Sequence, residues 1–191
     1  MKDSNFIRLL KRSMNENIMV AVYSNKNRPD TCSVGYVDSI TKDMVLIKHV
    51  TPHGLTDGFV IRRLEDVFRI DINGQYENKL QRLYFLQEQS HHAITSQLNS
   101  EVDLFVGILN ISQKFGKVVD VCIDDTESQA DIVGFVKEVK ENEVIISQIS
   151  EYGFANGESS LMIDDIVKIS CDTYNGHILE LLFLDNDKRS C

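Results

Sequence analysis

Arg62 and Arg63, adjacent in the run "FVIRRL", are the residues of this chain best suited to hold an anion. A guanidinium presents a planar fork of donors that matches a phosphate, and a neighbouring ammonium adds a point charge. Lys48 lies on the preceding apolar run, and Lys11 and Arg12 lie near the N-terminus. Together the five cations form the candidate contact set for a phosphodiester backbone, with single-stranded RNA as the partner. Strand alternation sends Arg62 and Arg63 to opposite faces, so at most one serves any single surface. The simpler role for either is a salt bridge to Glu65, Asp66 or the acidic second half of the chain.

The remaining chemistry-bearing residues lead to structural readings. Asp124-Asp125 and Asp164-Asp165 pair carboxylates, but no glycine-spaced calcium loop surrounds them and no histidine stands in register. They are expected at turns and strand ends. His91-His92 has no third ligand nearby, and Cys32, Cys122, Cys171 and Cys191 lack any C-x-x-C spacing. The four are read as reduced thiols. No G-x-S-x-G elbow, phosphate loop or telling Cys–His pair occurs. The expectation is a protein that is not an enzyme and needs no metal or cofactor.

Charge divides the chain sharply. Residues 1–99 hold 13 Lys/Arg against 11 Asp/Glu, a balance of +2, and residues 100–191 hold 7 against 18, a balance of −11. A near-neutral first half keeps polyanion binding open, and the contrast favours the first half of one chain meeting the second half of another or of itself. The opening "MKDSNFIRLLKRSMNENIMV" mixes charge with apolar residues, unlike a signal peptide, and no run reaches 18 apolar residues. A cytoplasmic location with no membrane partner is expected.

These residues sit in a chain that is written twice. Shifted by 99, residues 6–70 lie over 105–169 without a gap, with 14 identities in 65 positions. "VGYV" meets "VGFV", "VLI" meets "VII", and Gly54 and Gly58 meet Gly153 and Gly157. A one-residue deletion beyond residue 70 then aligns Tyr76 and Leu80 with Tyr174 and Ile178. The match also holds the apolar phase, which marks an internal duplication.

Each copy has a readable order. "SNFIRLLKRS" places Phe6, Leu9, Leu10 and Ser13 on one helical face, and Ser100 with Asp103 forms a capping-box start in the second copy. Strands follow at 18–23, 33–40 and 44–50, and again at 117–123, 132–139 and 143–149. After "HGLTDG" and "YGFANG" come two more short strands, then a helix, 76–90, with a weaker counterpart at 174–184 because Gly176 lies in it. Gly54, Gly58, Gly153 and Gly157 are assigned structural turn roles. Gly58 and Gly157, after Asp57 and Asn156, are expected to take positive φ and let the chain reverse. Gly35 and Gly134 fall in mid-strand, where a sharp bend needs no side chain. The fold class is therefore mainly β with flanking helices, as two tandem five-stranded barrels, each preceded by a short helix. The first repeat with its closing helix spans 1–90, a linker 91–99, and the second repeat 100–191.

This order resembles the Sm-like, SH3-like barrel, and in particular the bacterial Sm-like (Hfq-type) RNA chaperones. "NIMVAVYSN" is similar to that family's first strand, and "GYVDSITKDMVLIKHV" to its bent second strand, turn and third strand. The duplicated layout also resembles bacterial proteins in which two such barrels follow one another, which implies a fold and no activity. The resemblance implies assembly through strand edges. It implies RNA binding less directly, since the family's Tyr-Lys-His signature reads Ile61-Arg62-Arg63 here and Ser160-Leu161-Met162 in the second copy. The functional expectation is a non-catalytic binding or assembly module that self-associates through strand edges. The alternative is an RNA-binding protein using the basic first repeat.

Overall fold

The computed structural model describes residues 4–91, 98, 103–124 and 130–190. The chain divides into two compact units, Met1–Ala93 and Ile94–Cys191, a boundary that falls within the stretch 91–99. His92, Asp125, Cys191, Ser100 and most of that linker lie outside the described residues.

The first unit opens with helix α1 (Asn5–Glu16), capped by Ser4, whose Oγ accepts from the Ile7 N–H at 3.3 Å. Asn17 ends it in a left-handed conformation, and Ser13, buried on the same face as Leu10, donates from Oγ to the Ile18 carbonyl at 2.6 Å. That bond aims the chain into strand β1 (Val20–Tyr23). Strands β2 (Ser33–Ile40), β3 (Met44–Val50), β4 (Thr56–Arg63) and β5 (Arg69–Ile72) follow, and helix α2 (Gln75–Leu86) closes the unit. All pairings are antiparallel, in the spatial order β5-β1-β2-β3-β4. Strand alternation divides the core. Val20, Val22, Val45, Ile47 and Ile70 pack with Leu10 of α1, while Met19, Ala21, Tyr23, Val34 and Tyr36 pack with Leu80 and Tyr84 of α2. Burying each of these large side chains contributes about 1.5–3 kcal/mol, so both helices are held chiefly by their apolar faces.

The second unit repeats the plan. Helix α3 (Leu104–Phe115), capped by Asp103 through the Phe105 and Val106 N–H groups, precedes β6 (Val118–Cys122), β7 (Ile132–Lys140), β8 (Glu143–Ile149), β9 (Ala155–Met162) and β10 (Lys168–Cys171). Their order is β10-β6-β7-β8-β9. Most element bounds coincide under the 99-residue shift, and the shift runs unbroken into the closing helices instead of taking the expected one-residue deletion: buried Leu80 corresponds to buried Leu179, and Tyr84 against Tyr36 to Phe183 against Phe135. The bulges do too: β2 slips against β3 between Val37 and Ser39, and β7 against β8 between Val136 and Glu138. The closing helix α4 (Tyr174–Ser190) is longer than expected. Gly176 weakens it little because it stands in the first turn, where its N–H is bonded by Thr173 Oγ1 at 3.0 Å.

The mainly antiparallel β class with flanking helices is observed, but closed five-stranded barrels are not. Closure needs a ladder on both edges of every strand, and among the described residues β4 shares none with β5, nor β9 with β10. The connection explains this. Strand β4 runs into a 3-10 turn, Leu64–Asp66, pinned by the Leu64 N–H to the Asp43 carbonyl at 2.8 Å, and β5 emerges to pair with β1 over four residues only. Ile163–Asp165 repeats the device, with Ile163 N–H on the Asn142 carbonyl at 2.8 Å. Asp66 and Asp165 thus belong to these turns. The first sheet is strongly bent all the same, for Arg62 on β4 reaches Ser33 on β2 and Ser24 just beyond β1.

Two glycines make the bend possible. A Cβ at residue 35 would lie 1.9 Å from the Lys48 carbonyl oxygen, and one at residue 134 would lie 2.1 Å from that of Ser147. The glycine-bracketed loops work differently from expectation. The reversal occupies residues 51–55, closed by Thr51 N–H to the Leu55 carbonyl at 2.9 Å, and 150–154, closed by Ser150 N–H to the Phe154 carbonyl at 2.8 Å. Gly54 and Gly153 carry it, each at φ 77. Gly58 and Gly157 do take positive φ, 65 and 85, but inside β4 and β9, where the register slips by one residue. They form bulges rather than turns.

Candidate functional site

An open cavity of about 740 Å3 lies in the first unit beside β5, where the start of α2 crosses the end of β1. Its wall is made by ladder pairing. Tyr23 stands opposite Arg69 in the β1–β5 register, and Cys32 immediately precedes β2, which pairs with β1 on the other side. The Arg69 guanidinium lies 4.5 Å from the centre of the Tyr23 ring and is bound through two nitrogens by Asp71, its Nε at 3.0 Å from Oδ1. The Tyr23 hydroxyl hydrogen-bonds the Cys32 thiol.

Helix α2 supplies the floor. Gly74 caps it in an extended conformation, and Glu77, in the first turn, is only 3% exposed. Its carboxylate lies over Gly74, so close that a Cβ there would meet Oε2 at 2.4 Å. The field in the cavity disfavours every further negative charge. Burial raises the pKa of Tyr23, Cys32 and Tyr76, and the nearby carboxylates add to it: Asp71 for Tyr23, Glu77 with Asp71 for Cys32, and Glu77 for Tyr76.

The same columns of the second unit hold a different cluster. Cys122, Asp131 and Lys168 occupy the places of Tyr23, Cys32 and Arg69, and Asp120 replaces Ala21. Asp131 accepts from Lys168 Nζ at 3.2 Å and also from Cys122 and the protonated Asp120. Burial and then the Asp131 hydrogen bond raise the Asp120 carboxyl to about 7, while Lys168 and its other donors hold Asp131 below the usual carboxylate range despite burial. Cys122 is pushed up to about 12, chiefly by burial. Cys32, Cys122 and Cys171 are free thiols. Among the described residues no three His, Cys, Asp or Glu side chains converge as a metal site.

The cations singled out from the sequence are not brought together on one surface by any contact seen here. Arg62 is turned onto Ser24 and Ser33, Lys48 is paired with Asp38 at 2.6 Å, and Arg12 with Glu16 at 3.0 Å along α1. Lys11 and Arg63 lie on α1 and at the end of β4, and both make contacts of their own. His91 is structural: Nε2 donates to the His49 carbonyl at 2.8 Å and Nδ1 accepts from the Tyr84 hydroxyl at 3.2 Å.

Strand β9 is the other distinctive surface. Among the described residues it pairs with β8 alone, and of its eight residues only Ser159 and Leu161 are even half-buried. The equivalent strand β4 buries Phe59, Val60 and Ile61. Among the described residues, no helix is long and apolar enough to cross a membrane. Comparison of the chain with protein-family models, curated proteins and solved structures returned no match.

Proposed function

We propose that this protein is a non-catalytic assembly module that joins copies of itself edge to edge, strand β9 of one copy adding to strand β5 of the next. The observation that carries this reading is the open edge of β9. An unpaired edge is a template for another strand, and proteins that avoid such pairing blunt their edges with lysine, proline or very short strands. Strand β9 has eight residues and neither Lys nor Pro. Its bulge lies near its start, at Asn156-Gly157, so Glu158–Met162 pair with β8 in unbroken register, and Glu158 is bound by Lys137 at 2.6 Å.

The charge split supports the choice of partner edge. The second unit carries the −11 balance and β5 belongs to the near-neutral half, so a β9–β5 contact meets less repulsion than one between two acidic second units. A contact between β9 and β5 is heterologous, so it builds a ring or a chain according to whether the rotation closes.

Oligomeric mass by light scattering, at roughly 50 mM and roughly 500 mM salt, tests the reading, since screening weakens charge steering. Assembly larger at low salt is expected, and a monomer at both salts overturns it. The RNA-binding alternative makes a separate forecast: salt-sensitive retention of single-stranded RNA that drops in Arg62→Ala/Arg63→Ala. The inward contacts of Arg62 and the Lys48–Asp38 pair weigh against it.

A further inference from the structure

We propose that the cavity beside β5 is a binding site for an organic cation, an alkylammonium group, held by the carboxylates of Glu77 and Asp30 against the ring of Tyr76. Three carboxylates line this cavity, Asp30, Asp71 and Glu77, against the single guanidinium of Arg69, which Asp71 already binds. Two negative charges therefore remain uncompensated by the lining. The carboxylate of Glu77 is the telling one. It is 97% buried at the floor of the cavity, and among the described residues it has no hydrogen-bond or ion-pair partner. A buried carboxylate is costly unless something neutralises or donates to it.

The site already shows the chemistry it would use. Arg69 rests on the Tyr23 ring and on Asp71, a cation held between an aromatic face and a carboxylate. Tyr76, 40% exposed in the same lining, offers a second ring without an occupant of that kind among the described residues. The apolar flank of Leu9, Ile70 and Ile72 suits a methylene chain. The volume falls within the range of small-molecule sites. An anion is disfavoured even though α2 starts here, because the same field that keeps Tyr23, Cys32 and Tyr76 protonated repels it. The second unit has no matching site: Gly176 stands in the place of Glu77, third residue of its closing helix as Glu77 is of α2. This inference does not depend on assembly through β9.

The experiment titrates butane-1,4-diamine into the full chain and follows backbone amide shifts by NMR, with butanedioate as the anionic counterpart. Expected are saturable shifts centred on residues 69–77, a Kd on the order of 1 mM, no matching effect of butanedioate, and affinity lowered about tenfold by Glu77→Gln. Asp30→Asn, on an exposed turn that leaves the fold intact, weakens binding in the same direction and keeps the test decisive should Glu77→Gln not fold. Shifts spread evenly over the acidic second unit, equal response to butanedioate, or an unchanged Kd in Asp30→Asn overturns the proposal.

Discussion

Replacing Gly134 by alanine puts the bent-sheet account to a quantitative trial. An added Cβ would lie 2.1 Å from the Ser147 carbonyl oxygen and 2.8 Å from Gln148 Cα. Both are backbone atoms of the β7–β8 ladder, so no rotamer change relieves the clash. The ladder itself must open by roughly 1 Å at the point where β7 bends, and overpacking of this kind costs about 3 kcal/mol. Gly157→Ala is the control. Nothing lies within 4 Å of its added Cβ, so its penalty is only the left-handed backbone at φ 85, about 1–2 kcal/mol. Urea unfolding followed by circular dichroism measures both, the midpoint moving with stability at constant slope. Gly134→Ala should lose clearly more than Gly157→Ala. Equal losses, or a Gly134→Ala protein as stable as the parent, would refute the close approach of β7 to β8 that defines the fold.

Other expectations follow from the same geometry. Gly54→Ala and Gly153→Ala, each with a Cβ 2.4 Å from the Cβ of Leu83 or Leu182 and φ 77, should loosen α2 and α4 and show as faster amide exchange in those helices. Arg62→Ala should cost about 1–3 kcal/mol through the loss of its bonds to Ser24 and Ser33. The pH dependence turns on Asp120. Its folded pKa, about 7, lies above the unfolded value near 3.8, so the folded state holds the extra proton and stability falls as pH rises from about 4 to about 7. Asp120→Asn should flatten that decline in thermal melts and raise the melting temperature at pH 8. Asp131, depressed, contributes the opposite slope below pH 4 and should leave that limb in place.

Much of the fold was legible because the duplication reads the same message twice. The apolar phase of both copies, the mid-strand glycines 35 and 134, and the turns after Ile40 and Val139 each carried a local cause that sequence shows directly. The start of β4 was not so visible. Asp57-Gly58 has the composition of a turn, and only pairing with β3 shows that its left-handed glycine is a bulge inside a strand that began at Thr56. Barrel closure could not be read either, since it depends on whether a four-residue β5 can reach β4, and no residue type encodes that distance.

The cavity was invisible for a different reason. Tyr23, Cys32, Arg69 and Glu77 are scattered over more than fifty residues and meet only through the β1–β5 register and the placement of α2. One signal was present in the alignment of the two halves. The columns of Tyr23, Cys32 and Arg69 carry Cys122, Asp131 and Lys168, so ionisable side chains recur there in both copies beside otherwise apolar strands. The arginines drew attention by their charge alone, but Arg62 spends its guanidinium on the chain's own hydroxyls.

Assembly through β9 is tested most directly by proline on that strand. Adjacent residues of an edge strand point their N–H groups to opposite sides, so of Ser159→Pro and Ser160→Pro one removes a bond to β8 and the other blocks only the open edge. Mass by light scattering at low salt, with circular dichroism to identify the variant that keeps its fold, is the measurement. Edge pairing predicts an assembly in the parent chain and a monomer in the folded proline variant. A folded variant with the mass of the parent contradicts it.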